Sequence, residues 1–436
     1  MREDRSVTVD EQLERGEAPD PAVAALARHR ASVRRLRAWY AAVIALVVAT
    51  AVVVALVVWR SGEITHVHLR TASRPAPSVP LASPVAQPAI RWQSADATAV
   101  GAPFVGGTVV TYSQHTVTGR DALTGEARWT YTRTDRDVCE VAQQQGRAIA
   151  IYRNGRNCDQ VTTLDTATGK RDWERTLDEN GLPINGRPLM ITGNDSIFVM
   201  TQSALYAIQV STSECNADAS SACGSDNWTY APPAGCAMTS AVPGNNGVLI
   251  SEHCADGDHL VLRHPTAGTD SKDPKPIKWR LNDNGGIPVA ADSFVGAIDP
   301  STHELVLYDT DKGKVTSRQA LSPAPTGAGP ARSLIAGQGQ LVWIGGTAYA
   351  IDSSGAQVWS APAESLPTVT ADSPSPNPGL DGATLYVPTS TGVATLDGTT
   401  GAITAQYTVG APPAGSRVFA MGAGFLLAGS FTRAYR

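Results

Sequence analysis

The sequence predicts an all-β fold: an eight-bladed β-propeller closed by strands from both ends of the domain and preceded by a single transmembrane helix. Three observations carry this reading. A turn-centred unit recurs along the chain, one uninterrupted apolar run precedes it, and the composition is turn-dense, with 40 Gly and 29 Pro among 436 residues and only 17% charged. Gly and Pro at that density argue against a helical bundle, and 42% hydrophobic residues argue against wholesale disorder. The net charge of -5 supplies no basic field for phosphate neutralisation, so nucleic acid is not expected as a partner.

The recurring unit reads VTGRDALTGEARWTY from Val117, VTTLDTATGKRDWER from Val161, LVLYDTDKGKVTSRQ from Leu305, AYAIDSSGAQVWSAP from Ala348 and VATLDGTTGAITAQY from Val393. An alternating strand ends in Asp, a short turn supplies Gly where φ must be positive, and another strand follows, which is the pattern of a tight antiparallel hairpin. Gly125, Gly169, Gly313, Gly355 and Gly401 set the register. With two degenerate copies, at Leu205 to Trp228 and Leu260 to Trp279, six intervals span 276 residues, a mean period of 46. That is the length of one four-stranded blade. Trp129, Trp173, Trp228, Trp279 and Trp359 occupy the same place in the outer strand, and a large residue recurring once per repeat is expected to pack against the neighbouring blade.

After the seventh unit the chain offers only three strand-like runs, near Val418, Phe425 and Phe431. The segment AIRWQS at Ala89 to Ser94 carries Trp92 with outer-strand character, so it is expected to complete the last blade and leave no unpaired edge.

Ahead of the propeller, Ala41 to Val58 contain Thr50 as the only polar side chain, and Trp39, Tyr40 and Trp59 extend the apolar run to 21 residues. At 1.5 Å per residue it reaches roughly 31 Å, the thickness of a bilayer's hydrocarbon core, with aromatic rings at both interfaces. Arg28, Arg30, Arg34, Arg35 and Arg37 crowd its N-terminal flank and keep that side in the cytoplasm. The first sixty residues carry nine Arg against seven acids, so the remainder holds -7. The expected organisation is a cytoplasmic basic leader over 1–38, an uncleaved inner-membrane anchor over 39–59, a Pro-rich stalk over 60–88 and an extracytoplasmic propeller over 89–436. Pro75, Pro77, Pro80, Pro84 and Pro88 favour an extended path able to hold a domain up to about 60 Å from the bilayer.

All six cysteines follow the apolar run and none has C-x-x-C spacing, which fits disulfides in an oxidising compartment. Cys139 to Cys158 and Cys236 to Cys254 each span strand, turn, strand, turn, so the two segments are expected to close alike. Cys215 with Cys223 is left to staple the insertion between them.

The D-x-x-T-G-K-x-x-W pattern at Asp165 to Trp173 resembles the blade motif of the PQQ-like propellers, a family that includes quinoprotein alcohol dehydrogenases and the outer-membrane assembly lipoprotein BamB. The resemblance spans about residues 89 to 436 and implies the eight-bladed fold. It also implies where an enzyme would show itself: the dehydrogenases hold their quinone beneath an adjacent-cysteine disulfide and coordinate calcium, and no Cys-Cys pair exists here. The layout of leader, span, stalk and propeller is also similar to that of actinobacterial membrane-anchored envelope propellers of the PgfA type, which implies a place in trehalose monomycolate export and polar growth.

No G-x-S-x-G, P-loop or G-x-G-x-x-G occurs; GQGQLVWIGG from Gly337 and GAGFLLAG from Gly422 read as turns. His66 and His68 supply two metal ligands at most. EHCADGDH brings His253, Asp256, Asp258 and His259 close in sequence, but D-G between strands reads as a hairpin turn and Cys254 is assigned to a disulfide. The expectation is a non-catalytic binding or scaffold propeller with no cofactor or resident metal, partnered by the membrane and by an envelope protein or lipid. The alternatives are a PQQ-type or other extracytoplasmic enzyme and a sensor domain.

Overall fold

The computed structural model describes residues 63–436 apart from 81, 83, 102–103, 178–187, 194–195, 211–225, 265–275, 326–330, 337–338 and 371–378, together with 25, 29, 36–37 and 39–54. It divides into two compact units, Met1–His66 and Val67–Arg436. In the first, residues 39–54 are helical, and Leu46, Val47 and Val53 are more than half exposed. Thr50, its one polar side chain, donates its hydroxyl to the Leu46 carbonyl at 2.8 Å. Among the described residues no helix is long and apolar enough to cross a membrane; the rest of the apolar run, from residue 55, lies outside them.

Among its described residues the second unit holds eight sheets in chain order, one per blade, whose blade strands pair antiparallel. Blade 1 uses Ala97–Thr98, Thr108–Tyr112, Thr116–Asp121 and Ala127–Arg133; blade 2 uses Val138–Gln144, Arg147–Asn154, Asn157–Asp165 and Arg171–Thr176. Blade 3 is Leu189–Thr192, Ser196–Met200, Leu205–Gln209 and Asp226–Tyr230, and blade 4 is Cys236–Gly244, Gly247–Cys254, Gly257–Arg263 and Ile277–Asp283. Blades 5, 6 and 7 run over Ile287–Ala320, Arg332–Pro362 and Thr368–Thr408. Blade 8 takes Arg417–Met421, Gly424–Ala428 and Thr432–Tyr435 from the C-terminus and Ile90–Ser94 from the N-terminal side, in the register Trp92↔Ala434, Gln93↔Arg433 and Ser94↔Thr432. The expected closure by both ends is therefore present.

Apolar side chains fill the seams between blades, because both faces of a blade are covered and strands such as RAIAIYRN carry hydrophobic residues on each. Ile149, Ile151 and Val161 of blade 2 meet Ile197, Val199 and Tyr206 of blade 3, all fully buried. Each such aliphatic residue stabilises by about 1.5–3 kcal/mol when removed from water. In all seven continuous blades a β-bulge interrupts the pairing of the third and fourth strands just past the turn, for example between Thr163 and Leu164.

Two features depart from the expectation. The Pro-rich segment, read as a free stalk over 60–88, is bound to the propeller from Val67 onward. Val67–Arg70 adds a further strand outside blade 1, pairing Val67 with Arg133 and Arg70 with Thr130. Ala72 N then donates to Thr168 O of blade 2 at 2.8 Å, Arg128 Nη2 reaches Arg74 O at 2.8 Å, Ala76 is buried, and Ala82 N donates to Gly422 O of blade 8 at 3.1 Å. A polyproline-II path leaves its carbonyls and remaining N–H groups free to bond outward, and its Ala and Ser side chains let it lie close. Pro77 O sits where a Cβ on Gly107 would approach to 1.9 Å, so that position admits only glycine. The second departure is Val100–Gly101, which pairs parallel to Ala142 and Gln143 on the inner edge of blade 2, beside Thr192 of blade 3.

Candidate functional site

The recurring tryptophans bind one blade to the turn of the next. Trp129 Nε1 donates to Thr166 O at 2.8 Å, and its ring lies over Gly169, where a Cβ would come within 2.5 Å of the indole. Trp92 does the same to Ala122 O (2.8 Å) and Gly125, Trp279 to Thr310 O (3.2 Å) and Gly313, and Trp359 to Gly398 O (2.8 Å) and Gly401. The turn glycine is thus required twice, by a positive φ of 66° to 75° at these four positions and by the ring above it. Trp173 packs half-buried on the seam between blades 2 and 3. Trp228 lies under Arg263, whose guanidinium carbon is 3.5 Å from the ring centroid. The segments following their neighbouring third strands, 211–225 and 265–275, lie outside the described residues.

The Asp that ends the third strand caps its own turn. Asp165 Oδ1 accepts from Thr168 N at 2.8 Å and Thr168 Oγ1 at 2.7 Å, and Asp397 Oδ1 accepts from Thr400 N and Oγ1, both at 2.8 Å. Asp352 and Asp397 are held below the usual carboxylate range by such bonds, from Ser354 and Thr400 respectively. Asp299, in the turn between the second and third strands of blade 5, is bonded first by Ser301 and also by Arg318 and is pulled down to about 2.

Two seams carry buried polar clusters. Between blades 3 and 4, the Tyr230 hydroxyl donates to Glu252 Oε1 and Arg280 Nη2 lies 2.7 Å from Glu252 Oε2, with the Glu252 side chain fully buried. Burial and the adjacent Glu252 carboxylate push the Tyr230 phenol up. Between blades 1 and 2, Arg133 Nη1 lies 2.7 Å from Glu174 and its Nη2 3.2 Å from Asp135; burial opposes its charge, and the two carboxylates outweigh burial and raise its pKa. Tyr152, fully buried beneath it, has its phenol raised by burial. These groups were not singled out in the sequence. The signal available was the W-T-Y triplet repeated at 129–131 and 228–230, whose tyrosines both turn toward the second strand of the following blade.

Both described disulfides join the expected partners but not in the same geometry. Cys236–Cys254 links directly paired residues of adjacent strands with Cα atoms 4.0 Å apart. Cys139–Cys158 joins the first strand of blade 2 to the third, with Cα atoms 6.0 Å apart, where bulges at Tyr152 draw the strand starts together. Cys215 and Cys223 lie outside the described residues.

The polar knot of blade 4 is divided by strand alternation. His253 pairs opposite Asp258 and Glu252 opposite His259, so the two histidines face opposite sides. His253 Nδ1 bonds Asp258 Oδ1 at 2.6 Å on the exposed side, whereas His259 is buried with Nε2 3.7 Å from Asp256 Oδ2. The four residues do not form one cluster. His68 lies in the strand paired to blade 1 and His66 ends the short helix Glu63–His66. Gly345–Gly346 and Gly422 form turns.

Solved structures are similar to the chain at low identity. BamB from Moraxella catarrhalis is 17% identical over 85% of this chain and 100% of that chain, with a TM-score of 0.44. The computationally designed Ika8 protein is 10% identical over 84% of this chain and 100% of that chain, at 0.50. Quinohemoprotein alcohol dehydrogenase ADHIIG from Pseudomonas putida HK5 is 11% identical over 84% of this chain and 76% of that chain, at 0.43. No curated protein matches the sequence. The family described as outer membrane protein assembly factor BamB matches residues 85–271 and 271–424, spanning seven blades and the start of the eighth, so the chain belongs to this PQQ-like, BamB-type propeller family.

Proposed function

We propose that the chain is a membrane-anchored, non-catalytic binding propeller of the bacterial envelope, its N-terminus cytoplasmic and its blades extracytoplasmic, holding an envelope protein or lipid on its rim. The observation that carries the reading is the commitment of its reactive groups to architecture. Asp121, Asp165, Asp299, Asp309, Asp352 and Asp397 cap their own turns, Glu252 and Glu174 are ion-paired, and Cys139, Cys158, Cys236 and Cys254 are in disulfides. A group spent in this way is not poised as nucleophile or base. The disulfides suit an oxidising compartment, and the described helix, with apolar side chains outward and the Thr50 hydroxyl satisfied internally, suits lipid. Membership of a family described as an assembly factor supports a partner that is itself an envelope component. The pathway proposed from the resemblance is trehalose monomycolate transport at the growing pole.

The test is a full-length variant whose exposed hairpin turns at Gly155–Arg156 and Ser390–Thr391 are exchanged for unrelated two-residue hairpin turns. Loss of envelope growth with an unchanged melting curve supports the reading. Turnover of an alcohol by the purified protein given PQQ and calcium overturns it.

A further inference from the structure

The divided knot on blade 4 leaves one half without a role. Register places Cys236 opposite Cys254, Glu252 opposite His259 and Arg280 opposite Val261, so Cys236, Cys254, Glu252, His259 and Arg280 share the face that packs on blade 3. Sγ of Cys254, a carboxylate oxygen of Asp256 and a ring nitrogen of His259 lie within 4.8 Å of one another. His259 is only 5% exposed and its Nδ1 has no hydrogen-bond partner. An unsatisfied buried polar atom costs about 1–3 kcal/mol, so a buried imidazole in this state points to a ligand that the oxidised cysteine pair does not supply.

We propose that the Cys236–Cys254 disulfide masks a zinc site, which opens when the bridge is reduced and uses Cys254, His259 and Asp256 with Cys236 as the fourth donor. Two thiolates, one imidazole and one carboxylate form a tetrahedral set suited to a borderline-soft divalent cation. The oxidised bridge offers no thiolate, because its two sulfurs share one bonding pair and neither carries the negative charge that two-electron reduction would supply. A dithiol is the proposed reductant. One of its thiolates attacks Sγ of Cys236, the more exposed residue of the pair, and Cys254 leaves as thiolate; the second thiol then displaces Cys236. Two electrons and two protons pass to the protein, the dithiol closes to its own disulfide, and Zn²⁺ binding releases the two thiol protons.

Arg280 prepares this exchange. Its Nη2 lies 3.3 Å from Sγ of Cys254 and 3.4 Å from Sγ of Cys236, and a cation at that distance stabilises a leaving or resting thiolate. Glu252 fixes the guanidinium by its ion pair and balances its charge, so the incoming metal does not meet an isolated cation. Among the described residues no comparable group of His and acids surrounds Cys139–Cys158.

The test titrates Co²⁺ into the full-length protein before and after reduction by a phosphine, reading the thiolate-to-cobalt charge-transfer band and circular dichroism. The expected result is one Co²⁺ per chain after reduction only, with the fold retained. Cys236→Ser/Cys254→Ser should abolish the band, and His259→Gln should weaken binding at least about tenfold. Asp256→Asn, in an exposed turn, should weaken it without touching the fold. Absence of the band in the reduced protein, wild-type affinity in the His259→Gln and Asp256→Asn variants, or unfolding on reduction would overturn the proposal.

Discussion

Ala89 and Arg436 exchange both backbone hydrogen bonds, Ala89 N to Arg436 O at 3.0 Å and Arg436 N to Ala89 O at 2.9 Å, so the end of the bound N-terminal segment and the last residue of the chain form one ladder rung. The ring is held shut by pairing between segments more than 330 residues apart in sequence. Such closure costs loop entropy on folding and is repaid only once the blades have stacked.

Deleting residues 89–94 removes that ladder and also Trp92, whose indole bonds Ala122 of blade 1. The melting temperature of the protein should fall by several degrees, on the scale of a few kcal/mol. Replacing Val67–Arg70 by a Gly-Ser tetrapeptide should lower it less, since it uncovers only the outside of blade 1. Differential scanning calorimetry of both variants checks the order.

Trp129→Phe keeps an aromatic ring over Gly169 but loses the bond to Thr166 O, and should cost about 1 kcal/mol. Gly169→Ala should cost more, because it strains a φ of 74° and drives a Cβ into the indole at once. Chemical denaturation that ranks the two the other way would contradict this account of the seam.

Glu252→Ala strands Arg280 and leaves Tyr230 without its acceptor at a fully buried position, and a loss of about 3–5 kcal/mol is expected, as for other broken buried pairs. Tyr230→Phe should cost less, since the ion pair survives. Urea unfolding of the two variants measures the difference.

Acid should weaken the turns. Asp299, Asp352 and Asp397 have pKa values below the unfolded one, so the stability they confer is complete above the usual carboxylate range. It is lost as pH falls through the folded values, down to about 2 for Asp299. Asp299→Asn should lower stability at neutral pH and flatten the fall between roughly pH 4 and pH 2. An unchanged acid slope would show that the Ser301 and Arg318 bonds do not set this titration.

With the other four cysteines paired, Cys215 and Cys223 are expected to form the third disulfide. Peptide mapping under non-reducing conditions decides it, and a peptide joining either to a cysteine of blade 2 or blade 4 would contradict the assignment.

The blade count and ring closure were legible in the sequence because the turn chemistry repeats. Asp165, Thr168 and Gly169 each meet a local demand, and the same Asp-to-Gly turn returns in blades 1, 5, 6 and 7. The bound N-terminal segment was not legible: the Ala72 and Ala82 N–H groups donate to carbonyls far along the chain, the Arg74 carbonyl accepts from the Arg128 guanidinium, and nothing in a Pro-rich run distinguishes a docked path from a free one. The Tyr230–Glu252–Arg280 cluster was hidden for a different reason. Its members lie on three strands of two blades, and only the packing of one blade on the next brings them together.

The central claim is that the propeller binds and does not turn over, and photo-crosslinking in living cells tests it most directly. A photoreactive residue placed in the full-length chain at rim positions such as Ser354 and Thr400, with Val110 as a buried control, is expected to capture one discrete envelope component from the rim and none from the core. Absence of any rim adduct, together with quinone-dependent oxidation of a small substrate by the purified protein, would contradict the account.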